Sequence, residues 1–268
     1  MNDLKISLVQ SGIFWEDKER NIEHYGDFLK KLSGKSDLVV LPEMFSTGFS
    51  MQAPSLAETN DGITIQTLRS WANDYNLAVC GSFFAKDDSE RIYNRGFFIE
   101  PNGNTQFYDK RHLFRMGEEN QQFTAGDRRV IIPYKGWNIR LVICYDLRFP
   151  VWLRNRKNEY DILICTSNWP AARANVWKTL LLARAMENQS YVCGVNRIGK
   201  DGHSIEHQGD SVLIDFKGNR MSEAGLDKES VVTTTIRKDL LDDFRNRFPA
   251  WIDADDFEIY NPENRRSE

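Results

Sequence analysis

The stretch Leu141-Val142-Ile143-Cys144-Tyr145-Asp146 passes from continuously apolar to polar within one residue. A short apolar run of this kind fits a strand buried on both faces, with a turn where the polar residues begin. Just upstream, Val130 to Tyr134 and Trp137 to Ile143 flank Lys135-Gly136, which predicts a hairpin. Downstream the pattern alternates: a helix near Phe149 to Lys157, a strand over Asp161 to Thr166, a helix over about Asn175 to Asn188, and a strand over Tyr191 to Asn196. Apolar strands alternating with helices predict a sheet covered by helices.

The alternation extends towards both ends. A strand is expected over Leu4 to Val9, then a helix over about Asn21 to Leu32, where Ile22, Tyr25, Leu29 and Leu32 share one face. Leu38-Val39-Val40-Leu41 reads as a strand broken by Pro42, followed by a helix over about Thr64 to Tyr75 and a strand over Leu77 to Phe84. Arg91 to Ile99 and Thr105 to Tyr108 flank Pro101-Asn102-Gly103-Asn104, a second hairpin. A third is expected from strand Ser211 to Phe216, a turn at Lys217-Gly218-Asn219 and a strand Ser230 to Ile236, beyond which the tail (237–268) has no clear periodicity. The hairpins make the sheets mixed, and two such sheets face to face with helices outside suit this count. The fold class is therefore α/β, a four-layer α-β-β-α sandwich.

The chain has 268 residues, 41% hydrophobic and 28% charged, enough for a substantial core and unlike a disordered composition. There is no Pro/Gly/Ser-rich linker, charge block or internal repeat, so the reading is one domain with its core over about 4–236. A net charge of −4 gives no electrostatic reason to expect nucleic acid or an anionic membrane as partner. Met1-Asn2-Asp3-Leu4-Lys5 lacks the basic and apolar regions of a leader, and no window approaches a membrane span, so a cytoplasmic location is expected. Cys80, Cys144, Cys165 and Cys193 are widely separated, with no C-x-x-C pair and no zinc-ligand spacing, so free thiols and no metal are expected. The glycosylation triplet Asn188-Gln189-Ser190 lies in a segment read as buried.

Cys80, Cys165 and Cys193 sit inside apolar strands and read as core residues. Cys144 ends its strand, where α/β folds gather ligands and where a following turn or helix points backbone N–H groups at the thiol. A nucleophile and a buried structural thiol both remain open for it on this pattern alone. A nucleophilic thiol needs a base. Of His24, His112, His203 and His207, only His112, in Tyr108-Asp109-Lys110-Arg111-His112-Leu113-Phe114, stands near an interesting segment. A carboxylate base is the other option: Glu43 follows the apolar strand directly, and burial would suit its pKa to proton transfer near neutrality. Lys110 could set an ammonium beside a developing oxyanion. Solvated loop residues are the plainer reading of Glu43 and Lys110 taken singly.

Taken together, Leu41-Pro42-Glu43-Met44-Phe45-Ser46-Thr47-Gly48-Phe49, Tyr108 to Phe114, and Ile143-Cys144-Tyr145-Asp146-Leu147-Arg148-Phe149-Pro150 resemble the nitrilase (carbon–nitrogen hydrolase) superfamily. Thr166-Ser167-Asn168-Trp169-Pro170 and Arg184-Ala185-Met186-Glu187-Asn188-Gln189 extend the resemblance, which runs from Leu4 to about Ile236. It implies the α-β-β-α sandwich, assembly at least as a homodimer, and a Glu-Lys-Cys triad without metal or organic cofactor. Carried onto this chain, Cys144 is the nucleophile, Glu43 the general base and acid, and Lys110 the oxyanion cation, with the N–H of Tyr145 beside it. A second glutamate, seven residues before Gly126, falls on Glu119, with Glu118 adjacent.

Within the superfamily the motifs look closest to the omega-amidase branch. That implies a small-molecule amide substrate, a short 2-oxo dicarboxylic acid monoamide such as 2-oxoglutaramate or 2-oxosuccinamate, opened through a cysteine thioester with release of ammonia. Its carboxylate needs a cationic partner, for which Arg173 is the first candidate and Arg148 the second, beside Trp169. The alternatives are an N-carbamoyl amino acid amidohydrolase, a nitrilase, or an inactive scaffold of the same fold. A scaffold has no reason to keep Glu43, Lys110 and Cys144 together. A nucleotide-binding domain is discounted because no glycine-rich phosphate loop follows a strand.

Overall fold

The computed structural model describes residues 3–259; the first two residues of the chain and the last part of the expected tail, 260–268, lie outside the described residues. In chain order the strands are β1 (Asp3–Gln10), β2 (Leu38–Val40), β3 (Ala78–Lys86), β4 (Ile92–Ile99), β5 (Thr105–Asp109), β6 (Ile132–Tyr134) and β7 (Trp137–Ile143). They continue as β8 (Ile162–Ser167), β9 (Tyr191–Asn196), β10 (Ile198–Lys200), β11 (Glu206–Gln208), β12 (Val212–Ile214), β13 (Arg220–Glu223) and β14 (Ser230–Arg237). One six-stranded sheet runs β14-β1-β2-β3-β4-β5 and the other β13-β12-β9-β8-β7-β6, each with parallel strands at its centre and antiparallel strands outside.

Alternation along the strands builds the layers. Leu4, Ile6, Leu8, Leu38, Val40, Ala78 and Cys80 face inward against Ile139, Leu141, Ile162, Ile164, Cys193 and Val195 of the other sheet. The intervening residues Val39, Val79 and Phe97 pack outward beneath helices Lys18–Leu32 and Ile63–Tyr75, through Tyr25, Leu29, Ile65 and Leu68. On the far side Val142, Leu163, Cys165 and Val192 lie under helix Ala174–Asn188, through Trp177, Leu181 and Ala185. This is the α-β-β-α sandwich with two mixed sheets. Cys80, Cys165 and Cys193 are fully buried free thiols, and Asn188 is buried with its amide bonded to Asn155 and Arg184. No helix among the described residues is long and apolar enough to cross a membrane.

The structure corrects four expectations. The segment Phe149 to Lys157 is not one helix. A single turn, Pro150–Leu153, stops where Asn155 bonds Tyr160 and Asn188 in place of a helical ladder, and Lys157 and Asn158 take left-handed φ of 52° and 56°. Strand β12 pairs with β13, whereas Ser230–Arg237 crosses to the first sheet and pairs with β1. The turn at Lys217-Gly218-Asn219 therefore closes a shorter hairpin than expected. The tail contains a helix, Lys238–Arg247; its charged sequence hides the apolar pair Leu241 and Phe244, and Arg245 anchors it by ion pairing with buried Asp161 at 2.8 Å. Finally, β10 and β11 form a small hairpin for which no strand was expected.

Candidate active site

The C-terminal ends of β2, β5, β7 and β8 meet at one edge of the sandwich, so that four segments distant in sequence surround one cavity of about 600 Å³. Glu43 follows β2, and the chain turns at once through Met44, whose φ of 47° is left-handed. Glu43 is fully buried. Its Oε1 accepts from Lys110 Nζ at 2.9 Å and Asn94 Nδ2 at 2.8 Å, and its Oε2 from the Asn168 N–H at 2.8 Å. A buried carboxylate persists only with such a set of donors.

Lys110 follows β5. Its ammonium sits between Glu43 and Glu119, at 3.0 Å from the latter, and 5.3 Å from the centre of the Phe49 ring. Burial alone would lower its pKa, but the carboxylates of Glu119 and Glu43 outweigh burial and raise it, so the group stays an ammonium. Glu119, not Glu118, makes this contact. Glu119 is fully buried, accepts from the Phe114 N–H at 2.6 Å and from Asn94 Nδ2 at 3.0 Å, and is not part of the cavity wall. Burial raises its carboxyl; Lys110 opposes that and Glu43 adds to it. Glu118 is exposed, with left-handed φ, and lines the cavity.

Cys144 follows β7 directly in a left-handed conformation, φ 43°, and opens a 3₁₀ turn over Cys144–Arg148. That backbone is strained for a residue with a Cβ, and such strain concentrates at functional sites. The half-buried thiol faces the cavity, with Sγ 4.0 Å from the Asn168 carbonyl. Burial pushes the thiol well up, and Glu43 pushes the same way; Lys110 opposes them. The thiol is therefore protonated near neutrality and needs a base to attack.

Tyr145, Arg148, Trp169 and Arg173 also line the cavity. Trp169 donates Nε1–H to the Arg173 carbonyl at 2.9 Å; the Arg148 guanidinium lies 5.1 Å from the Trp169 ring, and that of Arg173 5.4 Å from Phe114. Among the described residues neither arginine is ion-paired. His112, by contrast, turns its ring to Asp146, with Nδ1 at 2.8 Å, and stacks on Phe149.

A profile of the carbon–nitrogen hydrolase family matches residues 5–246. The chain belongs to the carbon–nitrogen hydrolase (nitrilase) superfamily. It is 40% identical over 260 residues to the omega-amidase YafV of Escherichia coli (strain K12), covering 97% of this chain and 100% of that one. It is 30% identical over 251 residues to the 2-oxoglutaramate amidase of Bacillus subtilis (strain 168), covering 92% and 96%. Its structure matches that of XC1258 from Xanthomonas campestris, a CN-hydrolase superfamily protein with an arsenic adduct in the active site. That match has a TM-score of 0.94 and 44% identity over 97% of this chain and 100% of the other.

In this carbon–nitrogen hydrolase, sequence reasoning missed Asn94, which bridges both buried glutamates with one amide nitrogen. A polar residue inside the strand Ile92–Ile99 was the available signal. It also missed the β10–β11 hairpin, whose Asp201, His203, Ile205 and His207 form one wall of the cavity. His207 is buried, and burial followed by the charge of Arg197 pulls its pKa down to about 4, so its ring is neutral at physiological pH.

Gly126 holds Lys110 from behind. Its N–H donates to the Lys110 carbonyl at 2.9 Å, and a Cβ there would stand 2.1 Å from the Asp109 carbonyl oxygen. Gly126→Ala is expected to destabilise the protein by about 1–3 kcal/mol, a drop of a few degrees in Tm. A calorimetric scan checks this; an unchanged Tm would show that the segment gives way.

Proposed function

We propose that the chain is an omega-amidase, removing the terminal amide of short 2-oxo dicarboxylic acid monoamides such as 2-oxoglutaramate and 2-oxosuccinamate. The observation that carries this reading is one cavity holding Cys144, Lys110 and Glu43 together with two arginines, Arg148 and Arg173, that no carboxylate of the described residues pairs. Near-complete alignment with proteins named omega-amidase and 2-oxoglutaramate amidase supports the substrate class.

In this reading Glu43 accepts the Cys144 thiol proton as sulfur attacks the amide carbon. Lys110 and the N–H of Tyr145 hold the oxyanion. The tetrahedral adduct collapses by breaking its C–N bond, the proton on Glu43 leaves with ammonia, and a thioester remains. Glu43 then takes a proton from water, hydroxide adds to the thioester, and the carboxylic acid departs as the proton returns to sulfur. Glu119 and Asn94 keep Lys110 and Glu43 in register. The working unit is a homodimer or larger; exposed Val151, Met186 and Phe248, on or beside the helical layer of the second sheet, offer apolar surface for it.

Arg173→Ala is expected to raise KM for 2-oxoglutaramate about 10-fold or more while changing KM for an uncharged amide little, because only the anion uses the guanidinium. Ammonia release from a panel containing both substrates, N-carbamoyl amino acids and aliphatic nitriles is the test. Equal losses on charged and neutral amides would give Arg173 a structural role. A wild-type protein that prefers carbamoyl compounds or nitriles would overturn the substrate reading.

A further inference from the structure

Asp146 is fully buried two residues beyond Cys144, and its carboxylate accepts four hydrogen bonds. Oδ2 takes the Ile143 N–H at 3.1 Å and the Tyr108 hydroxyl at 2.7 Å. Oδ1 takes the His112 backbone N–H at 2.9 Å and, with Nδ1 as donor, the His112 ring at 2.8 Å. Tyr108 and His112 bracket Lys110, and Ile143 precedes Cys144. The first group hangs from β5 in one sheet and the second from β7 in the other. Asp146 therefore joins the two sheets at the point where an ammonium must meet a thiol.

The donors are themselves fixed. Trp152 Nε1 donates to the Tyr108 hydroxyl at 3.0 Å, and the His112 ring lies 3.7 Å from that of Phe149 with 5° between planes. The bond to Ile143 also closes the turn in which Cys144 holds its left-handed φ, a conformation that persists only when its surroundings over-determine it. Asp146 does not line the cavity, so it acts through other residues.

We infer that Asp146 is a positioning residue: its carboxylate sets the distance between Lys110 and Cys144 by tying the end of β5 to the turn after β7. Asp146→Asn probes this with little change of volume. Either orientation of the new amide points an NH₂ at a backbone N–H, that of Ile143 or that of His112, so one tie is lost and replaced by a donor–donor conflict.

The activity arm of the test rests on the proposed amidase reading; the second arm, alkylation of Cys144 by iodoacetamide followed by mass spectrometry, does not. Asp146→Asn is expected to lower kcat about 100-fold with KM changed less than about threefold, as misplacement of reacting groups does. Cys144 alkylation at pH 7 falls about 10-fold, because a displaced Lys110 no longer favours the thiolate. In a Lys110→Gln background the same substitution adds less to either loss than it costs alone, since one of the two groups it positions is gone. Tyr108→Phe, which removes one donor and adds none, gives a smaller loss of the same kind and carries the test if Asp146→Asn fails to fold. Losses that multiply in full with Lys110→Gln, or wild-type kcat and alkylation in both Asp146→Asn and Tyr108→Phe, overturn the inference. A wild-type protein that releases no ammonia removes the amidase reading and leaves the alkylation result to decide the role of Asp146.

Discussion

Cys144→Ala is expected to abolish ammonia release from every amide, a loss on the order of 10⁴-fold or more, while Tm stays close to wild type. The residue is half-buried at the edge of the cavity and its sulfur makes one long contact, so the fold loses little. The proposed mechanism loses its covalent attachment point: the other three cysteines are fully buried between the layers and cannot substitute. Cys144→Ser should be nearly as inactive, because an alcohol beside a carboxylate is far harder to deprotonate than a thiol. Iodoacetamide should label Cys144 ahead of Cys80, Cys165 and Cys193. Ammonia release at more than a few per cent of wild type in Cys144→Ala would rule out the thioester.

Glu43→Gln is expected to cost nearly as much, on the order of 10³-fold or more in kcat, because in the proposed mechanism one carboxylate serves both half-reactions. The glutamine is close to isosteric but brings an NH₂ to a position surrounded by donors from Lys110, Asn94 and Asn168, so Tm also falls. The pH dependence separates the two effects. Burial holds the Cys144 thiol well above its ordinary range, so thiolate forms only as pH rises towards that raised value. Without the internal base, the residual rate of Glu43→Gln should therefore climb with pH above neutrality, about tenfold per unit while the thiol stays mostly protonated. A flat profile, or kcat within tenfold of wild type at pH 7, would assign the proton transfers elsewhere.

The layers were legible in the sequence because central strands carry continuous apolar runs, residues 38–40 and 162–165, and because Lys135-Gly136 and Pro101-Asn102-Gly103-Asn104 punctuate the hairpins. Residues 198–208 stayed hidden: the three-residue strands Ile198-Gly199-Lys200 and Glu206-His207-Gln208 are too short to show a period. The strand Ser230–Arg237 was found but its partner was not, since pairing with β1 depends on contacts more than two hundred residues apart in sequence. At the site, Glu43, Lys110 and Cys144 stood out by motif. The bridging of Glu43 by Asn94 and the grip of Asp146 on Tyr108 span 51 and 38 residues, and no local pattern announces them.

Glu43, Lys110 and Cys144 stand at the ends of strands anchored in two six-stranded sheets, while one wall of the cavity belongs to a separate two-stranded ladder, β10–β11. The proposed reactive groups and that wall of the cavity thus belong to separately paired pieces of backbone. The hairpin is still tied to the body of the protein: Arg197 donates to the Lys200 carbonyl, and Gly202 lies against Trp15. Exchanging that hairpin between relatives therefore asks whether the cavity wall can change while Glu43, Lys110 and Cys144 keep their places.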